Sequence, residues 1–83
     1  MNKILAEVYF PSLACSYDIY IPDRVRFYQI ADMIERAASR LTHGRYTVTG
    51  CAVLCDRDSG LVYDPNRTAE EVMLHSGSRL MII

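Results

Sequence analysis

The chain has 83 residues, of which 51% are hydrophobic and 23% are charged. This length predicts one compact domain spanning residues 1–83, and its small core argues against a large catalytic cleft. Nine lysines and arginines balance ten aspartates and glutamates to a net charge of −1. Because no basic block stands out, the composition excludes the electrostatic footprint of a nucleic-acid-binding protein.

The apolar residues and cysteines indicate the cellular compartment. No apolar stretch approaches the length of about 20 residues that crosses a membrane, and the N-terminal segment alternates rather than forming a signal-peptide core. Cys15, Cys51 and Cys55 are odd in number and include no C-x-x-C pair, which argues against a disulfide framework and a zinc site. We expect a cytoplasmic protein without direct membrane insertion, metal or cofactor, whose cysteines are buried as small hydrophobic residues.

Period-2 alternation predicts two strands at the start of the chain. Between Lys3 and Phe10 apolar residues of one parity alternate with the others, which is typical of a strand with one buried face. Ser16–Ile21 repeats the pattern after a short loop, so we expect a β-hairpin. The inward parity comprises Ile4, Ala6, Val8 and Phe10, then Tyr17, Ile19 and Ile21.

The segment Arg26–Leu41 has helical periodicity instead. Its apolar residues fall at helical offsets and charged residues such as Glu35 lie on the other faces, which predicts one amphipathic helix. Asp23 is placed to accept from free N–H groups at the helix start or to lie just before it, and Gly44 follows the last turn as a helix stop. The predicted core seam consists of Phe27, Ile30, Ile34, Ala37 and Leu41.

The second half of the chain contains short elements separated by turn-forming residues. Thr68 and Glu71 have the S/T-x-x-E spacing of a capping box, which marks the start of a helical turn. In chain order the predicted elements are a third strand at Cys51–Cys55, a turn at Asp56–Gly60, a fourth strand at Leu61–Tyr63, a helical turn at Thr68–Val72 and a last strand at Arg79–Ile83.

The resulting order, β-β-α-β-β-short helix-β, favours an α+β fold in which one helix crosses a mixed sheet. This is the order of the β-grasp, or ubiquitin-like, fold. Three segments carry a closer resemblance: Y-D-I-Y-I-P at Tyr17–Pro22, Y-D-P-N-R-T at Tyr63–Thr68 and L-H-S-G-S-R-L-M-I at Leu74–Ile82. With them the chain resembles the bacterial YukD/EsaB-like family associated with type VII (WXG100) secretion, and the ubiquitin-like domain of membrane subunits in such systems.

The resemblance implies a non-catalytic protein-interaction module, an accessory component that contacts secretion-machinery proteins. Three positions depart from the family pattern. Ala69 stands where the family usually has Leu, Met73 where it often has Gly, and Ser78 where Asp is common. These departures affect packing and turn positions, so they bear on the subfamily more than on the fold.

Residues capable of chemistry do not assemble into a recognisable catalytic or metal motif. His43 and His75 have no Ser or Cys partner at a spacing that implies a triad, so we expect no enzyme. The run Asp56-x-Asp58-x-Gly60 has the start of a calcium loop, but it lacks the third acidic ligand and the final Glu. It is read as a hairpin turn.

Strict alternation predicts that a second set of apolar residues lies on the sheet face opposite the helix. The third strand can present either Ala52 and Leu54, or Val53 with its two cysteines, on that face. We favour Ala52 and Leu54 outward because both thiols then lie inside. Such an exposed apolar stripe is typical of a binding surface for a protein partner or for self-association. Its predicted members are Leu5, Tyr9, Leu54, Met81 and Ile83.

A second functional class, a processed or truncated ubiquitin-like modifier or sulfur carrier, requires a flexible tail ending in Gly-Gly. The chain instead ends in a predicted strand at Ile83, and Lys3 is its single lysine. A gene-encoded extension ending in Gly-Gly beyond Ile83 would favour the modifier.

We therefore expect intact mass spectrometry of cell extracts to show only the free protein. The conjugating chemistry needs an activated C-terminal glycine, which the sequence does not supply. Detection of Ile83 joined through an isopeptide bond to another protein would contradict this expectation.

Overall fold

A computed structural model describes residues 3–83. Four strands form one sheet in the order β2-β1-β4-β3, and α1 lies across one of its faces. Strand β1 is antiparallel to β2 and parallel to β4, while β3 is antiparallel to β4. The mixed sheet confirms the predicted α+β architecture. The elements are β1 (Lys3–Phe10), β2 (Cys15–Pro22), α1 (Phe27–Leu41), β3 (Leu54–Asp56) and β4 (Arg79–Ile82).

The N-terminal hairpin and the last strand follow the predicted alternation. Every second side chain of β1 is buried, and in β4 Leu80 and Ile82 are buried while Met81 is half-buried. Residues directly opposite in neighbouring strands share a face, so the pairing of Val8 with Leu80 aligns the two buried sets. The helix packs on this inner face. Its core comprises Ile4, Ala6, Val8, Phe10, Ile21, Leu80 and Ile82 from the sheet, with Phe27, Ile30 and Ile34 from α1.

The start of α1 is capped by a distant loop. The backbone N–H of Phe27 donates to the carbonyl of Arg67 at 2.9 Å, and that of Tyr28 donates to the carbonyl of Pro65 at 3.2 Å. Asp23 lies before the helix and does not cap it. Its carbonyl accepts from the Glu70 N–H, and its Oδ1 is buried without a hydrogen-bond partner among residues 3–83. The helix therefore begins where residues 65–67 supply acceptors.

The predicted helix seam is wrong at its C-terminal end. Leu41 is 54% exposed and Ala37 is only half-buried. The buried stripe of α1 is instead rotated toward a neighbouring side of the helix, because the chain that follows α1 folds back over that side. The additional buried residues are Ala31, Glu35 and Ala38.

Glu35 is 1% exposed, although the sequence pattern places it on a solvent face. Its carboxylate accepts from the Tyr46 hydroxyl at 2.8 Å and from the backbone N–H groups of Thr49 and Gly50, each at 3.2 Å. Burial raises the pKa of Glu35, but these donated hydrogen bonds outweigh burial, so the net pKa lies below its usual value. The charged form is thus stabilised inside the fold by residues 46–50.

The predicted register of the third strand is also wrong. Leu54 is 2% exposed and lies in the core, because it pairs with inward-facing Ile82. Ala52 packs against the same core, whereas Cys51 and Val53 are exposed. The strand is shorter than predicted, and outward orientation of Ala52 and Leu54 is excluded. Among the cysteines, Cys55 is buried, Cys15 is half-buried and Cys51 is exposed, so the expectation of three buried thiols holds only for Cys55.

The predicted fourth strand is reduced to a single bridge between Val62 and Cys55. Two backbone hydrogen bonds flank it, from Asp56 to the Leu61 carbonyl at 2.8 Å and from Tyr63 to the Leu54 carbonyl at 3.0 Å. The preceding turn is confirmed. The Asp56 carboxylate accepts from the N–H of residue 58 and the hydroxyl of residue 59, so turn geometry occupies this side chain.

The predicted capping box is present. The N–H of Thr68 donates to the Glu71 carboxylate at 2.9 Å, and the N–H of Glu71 donates to the Thr68 hydroxyl at 3.1 Å. The segment that follows is a hydrogen-bonded turn rather than a regular helix: the N–H of Val72 donates to the Thr68 carbonyl at 3.3 Å, and that of Met73 donates to the Glu70 carbonyl at 3.1 Å. It ends at Met73, whose φ of 60° lies in the left-handed region that glycine adopts most readily. At Ser78, the third position that departs from the family pattern, the side-chain hydroxyl accepts a hydrogen bond from the His75 N–H at 3.1 Å. An aspartate carboxylate could accept the same bond.

Ile34 and Leu41 provide a matched test of the corrected seam. Ile34→Ala should lower the free energy of unfolding by about 2–5 kcal/mol because the side chain is buried in the core. Leu41→Ala should change it by about 0.5 kcal/mol or less, since Leu41 is mostly exposed. Urea titration of both variants measures the difference. Equal losses would show that Leu41 belongs to the core seam.

A second test concerns the buried carboxylate. Glu35→Gln should lower the free energy of unfolding by about 1–3 kcal/mol near neutral pH, because the amide leaves buried donors without an acceptor. Since the folded pKa of Glu35 is depressed, its contribution is complete above the unfolded pKa and is lost as pH falls through the folded pKa.

The stability difference between the wild type and Glu35→Gln should therefore narrow in urea titrations below about pH 4. Asp32→Asn, which removes a half-exposed carboxylate from the same helix, is the control. A difference that is constant with pH would contradict a charged Glu35 in the folded protein.

Candidate functional site

The sheet face turned away from α1, called the outer face here, contains four of the five predicted binding residues. Leu5 and Ile83 are exposed, and Tyr9 and Met81 are half-buried. Leu54 is absent from this face because it lies in the core. Val53 lies there instead: its backbone exchanges two 3.0 Å hydrogen bonds with Ile83, so the two residues share a face.

A row of charged residues divides the outer face. Glu7 of β1 is directly opposite Arg79 of β4, and the N–H of Arg57 donates to the Arg79 carbonyl at 3.1 Å. Glu7 Oε2 lies 3.2 Å from Arg57 Nη1 and 3.4 Å from Arg79 Nε, while Arg79 Nη1 lies 3.0 Å from Asp58 Oδ1. Leu5 is on one side of this charged row. The apolar stripe is therefore not continuous.

The larger apolar part, called the apolar patch here, lies on the other side of the charged row. It comprises Tyr9 and Met81, which are paired across β1 and β4, followed by Ile83 and its neighbour Val53. Cys55 is paired with Met81 at the β3 edge, and its thiol donates to the Met81 carbonyl at 3.6 Å. The patch therefore extends from β1 across β4 to Val53, which immediately precedes β3.

The side chain of Arg57 covers part of the apolar patch. Its guanidinium carbon is 4.3 Å from the centroid of the Tyr9 ring, and Nη1 donates to the Ser16 hydroxyl at 3.4 Å. Because Arg57 follows β3 and Ser16 belongs to β2, this side chain reaches across β4 and β1. It thereby covers one face of the Tyr9 ring.

Weak interactions hold the Arg57 side chain over the Tyr9 ring. Both the Arg57 and Glu7 side chains retain about a third or more of their solvent exposure, and ion pairs of this kind contribute roughly 0–1 kcal/mol. A cation–π contact at such a site adds about 0.5–1 kcal/mol. Displacing the Arg57 side chain therefore costs little free energy, and it would expose the Tyr9 ring.

Sequence reasoning missed Arg57, Glu7, Arg79 and Val53 as members of the outer face. Arg57 belongs to a turn-forming segment, and nothing local indicates that it reaches across the sheet. Assigning Leu54 to the inner face could have revealed Arg57. With Leu54 facing inward, the strand register places Arg57 beside Arg79 on the outer face.

His43 and His75 are exposed, and burial followed by the charge of Asp56 raises the pKa of the Cys55 thiol, which disfavours the nucleophilic thiolate. Within residues 3–83, no group of three or more His, Cys, Asp or Glu side chains is arranged to hold a metal ion. The helix described in this range is too short and too polar to cross a membrane.

Comparison with known proteins identifies the fold. No family model matches the sequence, and no curated protein matches it significantly. Solved structures match over the whole chain. The ubiquitin-like domain of EccD5 from Mycobacterium xenopi superposes with a TM-score of 0.80 at 15% identity, covering 100% of this chain and 94% of that one.

Two further structures support the same assignment. The ubiquitin-like domain of the Mycobacterium tuberculosis type VII secretion protein EccD1 has a TM-score of 0.78 at 13% identity, with 100% and 99% of the two chains covered. The ubiquitin-like domain of the Arabidopsis thaliana protein At2g32350 has a TM-score of 0.71 at 19% identity, with 100% and 78% covered. The ubiquitin-like β-grasp fold predicted from the sequence is thereby confirmed.

Proposed function

We propose that this chain is a non-catalytic ubiquitin-like interaction module that binds a protein partner through the outer face. The observation that carries the proposal is the apolar patch of Tyr9, Met81, Ile83 and Val53. Ile83 is 57% exposed at its end, so apolar side chains remain available at the surface of the sheet. The charged row beside the patch supplies groups that can orient a partner.

We further propose that the module is a cytoplasmic accessory component of a bacterial type VII-like secretion system, akin to YukD-like proteins. The motif resemblance and the likeness to two EccD ubiquitin-like domains support this role. Its partner is then a component of the secretion machinery, and self-association through the same patch is the alternative mode.

Binding would replace the Arg57 side chain on the apolar patch with a side chain of the partner. A partner residue that packs on Met81 and Tyr9 takes the place of the Arg57 guanidinium, whose contacts are partly exposed. Arg57 can then pair with an acidic group of the partner. Binding then buries the side chains of Met81 and Tyr9, while Arg57 keeps an ion-pair partner. This arrangement favours a partner protein that has an acidic residue beside its apolar contact residue.

Met81→Glu is the sharpest test of this surface. Because Met81 faces away from the core, the free energy of unfolding should change by about 1 kcal/mol or less. Co-purification with proteins encoded by neighbouring genes, and any self-association seen by size-exclusion chromatography, should weaken strongly, as expected for a central contact.

Leu41→Glu is the matched control, since Leu41 is exposed on the opposite side of the molecule. It should leave both readouts unchanged. An unchanged pull-down and oligomer profile for Met81→Glu, in a variant shown to be folded, would refute the outer face as the interface.

A further inference from the structure

A second surface lies between α1 and residues 50–52, on the helix side of the sheet. Glu35 lines a small cavity there, with a volume of about 30 Å3. The cavity adjoins a wider groove of about 750 Å3. The residues that line both are Tyr28, Asp32, Gly50 and Ala52. The two spaces therefore form one site, a groove with a small cavity at its inner end.

The carboxylate of Glu35 has no counter-charge at this inner end. All its donors are neutral, namely the hydroxyls of Tyr46 and Thr49 and the backbone N–H groups of Thr49 and Gly50. Among residues 3–83, no arginine, lysine or histidine forms an ion pair with it. Fully buried glutamates are rare unless a cation is paired with them. The cavity beside Glu35 therefore has a negative potential that a cation would compensate.

Asp32 adds a second carboxylate to the same site. It precedes Glu35 by three residues on α1, so both side chains lie on one side of the helix, and both line the cavity. Asp32 Oδ2 accepts from Arg36 Nε at 3.0 Å, but Arg36 lines neither the cavity nor the groove. Asp32 Oδ1 accepts no hydrogen bond from any residue in the range 3–83, so it can accept one from a cation that enters through the groove.

The volume of the cavity favours one kind of cation. About 30 Å3 accommodates roughly one or two water-sized groups. The ammonium group of a lysine is close to that size, whereas the planar guanidinium of an arginine is larger. The groove outside the cavity is lined by Val25, Tyr28 and Met33, which offer apolar surface to the methylene stem of such a side chain.

We propose that this site binds a lysine side chain of a partner protein. The ammonium group enters the cavity and donates to the carboxylates of Glu35 and Asp32, while the methylene stem lies along Tyr28 and Ala52. Apolar neighbours of that lysine pack on the wall of the groove. The site is separate from the outer face, so it does not depend on the function proposed for that face.

Peptide selection on the Met81→Glu protein tests the proposal, because this variant weakens binding at the outer face. Random linear 12-residue peptides displayed on phage should enrich lysine beside apolar residues. Bound peptides should shift the amide resonances of residues 28–35 and 49–52. In an enriched peptide, replacing the lysine by norleucine should weaken binding by about tenfold or more, and replacing it by arginine by about fivefold or more.

Four results would overturn the proposal. The first two are failure to enrich lysine and amide shifts confined to other residues. The third is binding of ammonium chloride at the cavity without any lysine peptide, which would show a site for free cations only. The fourth is self-association that Lys3→Arg removes, which would assign the site to the single lysine of a second copy.

Two variants that break the same ion pair provide a matched comparison, with folding checked by the amide spectrum. Asp32→Asn removes a carboxylate from the site and should weaken peptide binding by about threefold to tenfold. Arg36→Gln removes no group that lines the site, so it should not weaken binding. Equal losses in the two variants would contradict a contact between the lysine and Asp32.

Glu35→Gln tests the inner end of the site. In the folded variant, the preference of the protein for lysine over norleucine should fall to about threefold or less, because only Asp32 remains to pair with the ammonium group. An unchanged preference would contradict entry of the ammonium group into the cavity. If Glu35→Gln does not fold, the comparison of Asp32→Asn with Arg36→Gln decides the proposal.

Discussion

The buried carboxylate of Glu35 is the interaction on which the rest of the fold depends. Residues 42–53 connect α1 to β3 without forming a helix or strand, and Glu35 anchors this connection through Tyr46, Thr49 and Gly50. A charged group in the interior is tolerated only where donors replace water, and this connection supplies them. The anchored chain then brings Leu54 to β4 with its side chain inward.

The sequence predicted those elements whose signal is local. Alternation identified β1 and β2, helical spacing identified α1, and the spacing of Thr68 to Glu71 identified a capping box that the structure contains. The register of β3 was not predictable because the run from Cys51 to Cys55 is apolar at every position, so neither parity stands out. Burial of Glu35 was not predictable because its donors lie 11 to 15 residues away.

The outer face shows the same division between local and distant information. Parity correctly placed Leu5, Tyr9, Met81 and Ile83 opposite the helix, since alternation within one strand decides orientation. It could not reveal that Arg57 reaches from the far edge of the sheet to cover Tyr9. A surface that parity describes as an apolar stripe is thus an apolar patch that Arg57 partly covers and that ion pairs border.

The contacts of Glu35 cover only one side of the apolar stripe of α1. Binding of its carboxylate by residues 46–50 covers the side of α1 that carries Ala31 and Ala38, which are buried. The other flank of the apolar stripe, with Met33 and Ala37, is left facing the β2 edge. This flank stays uncovered because β2 is the edge strand of the sheet, and among residues 3–83 no further strand packs beside it.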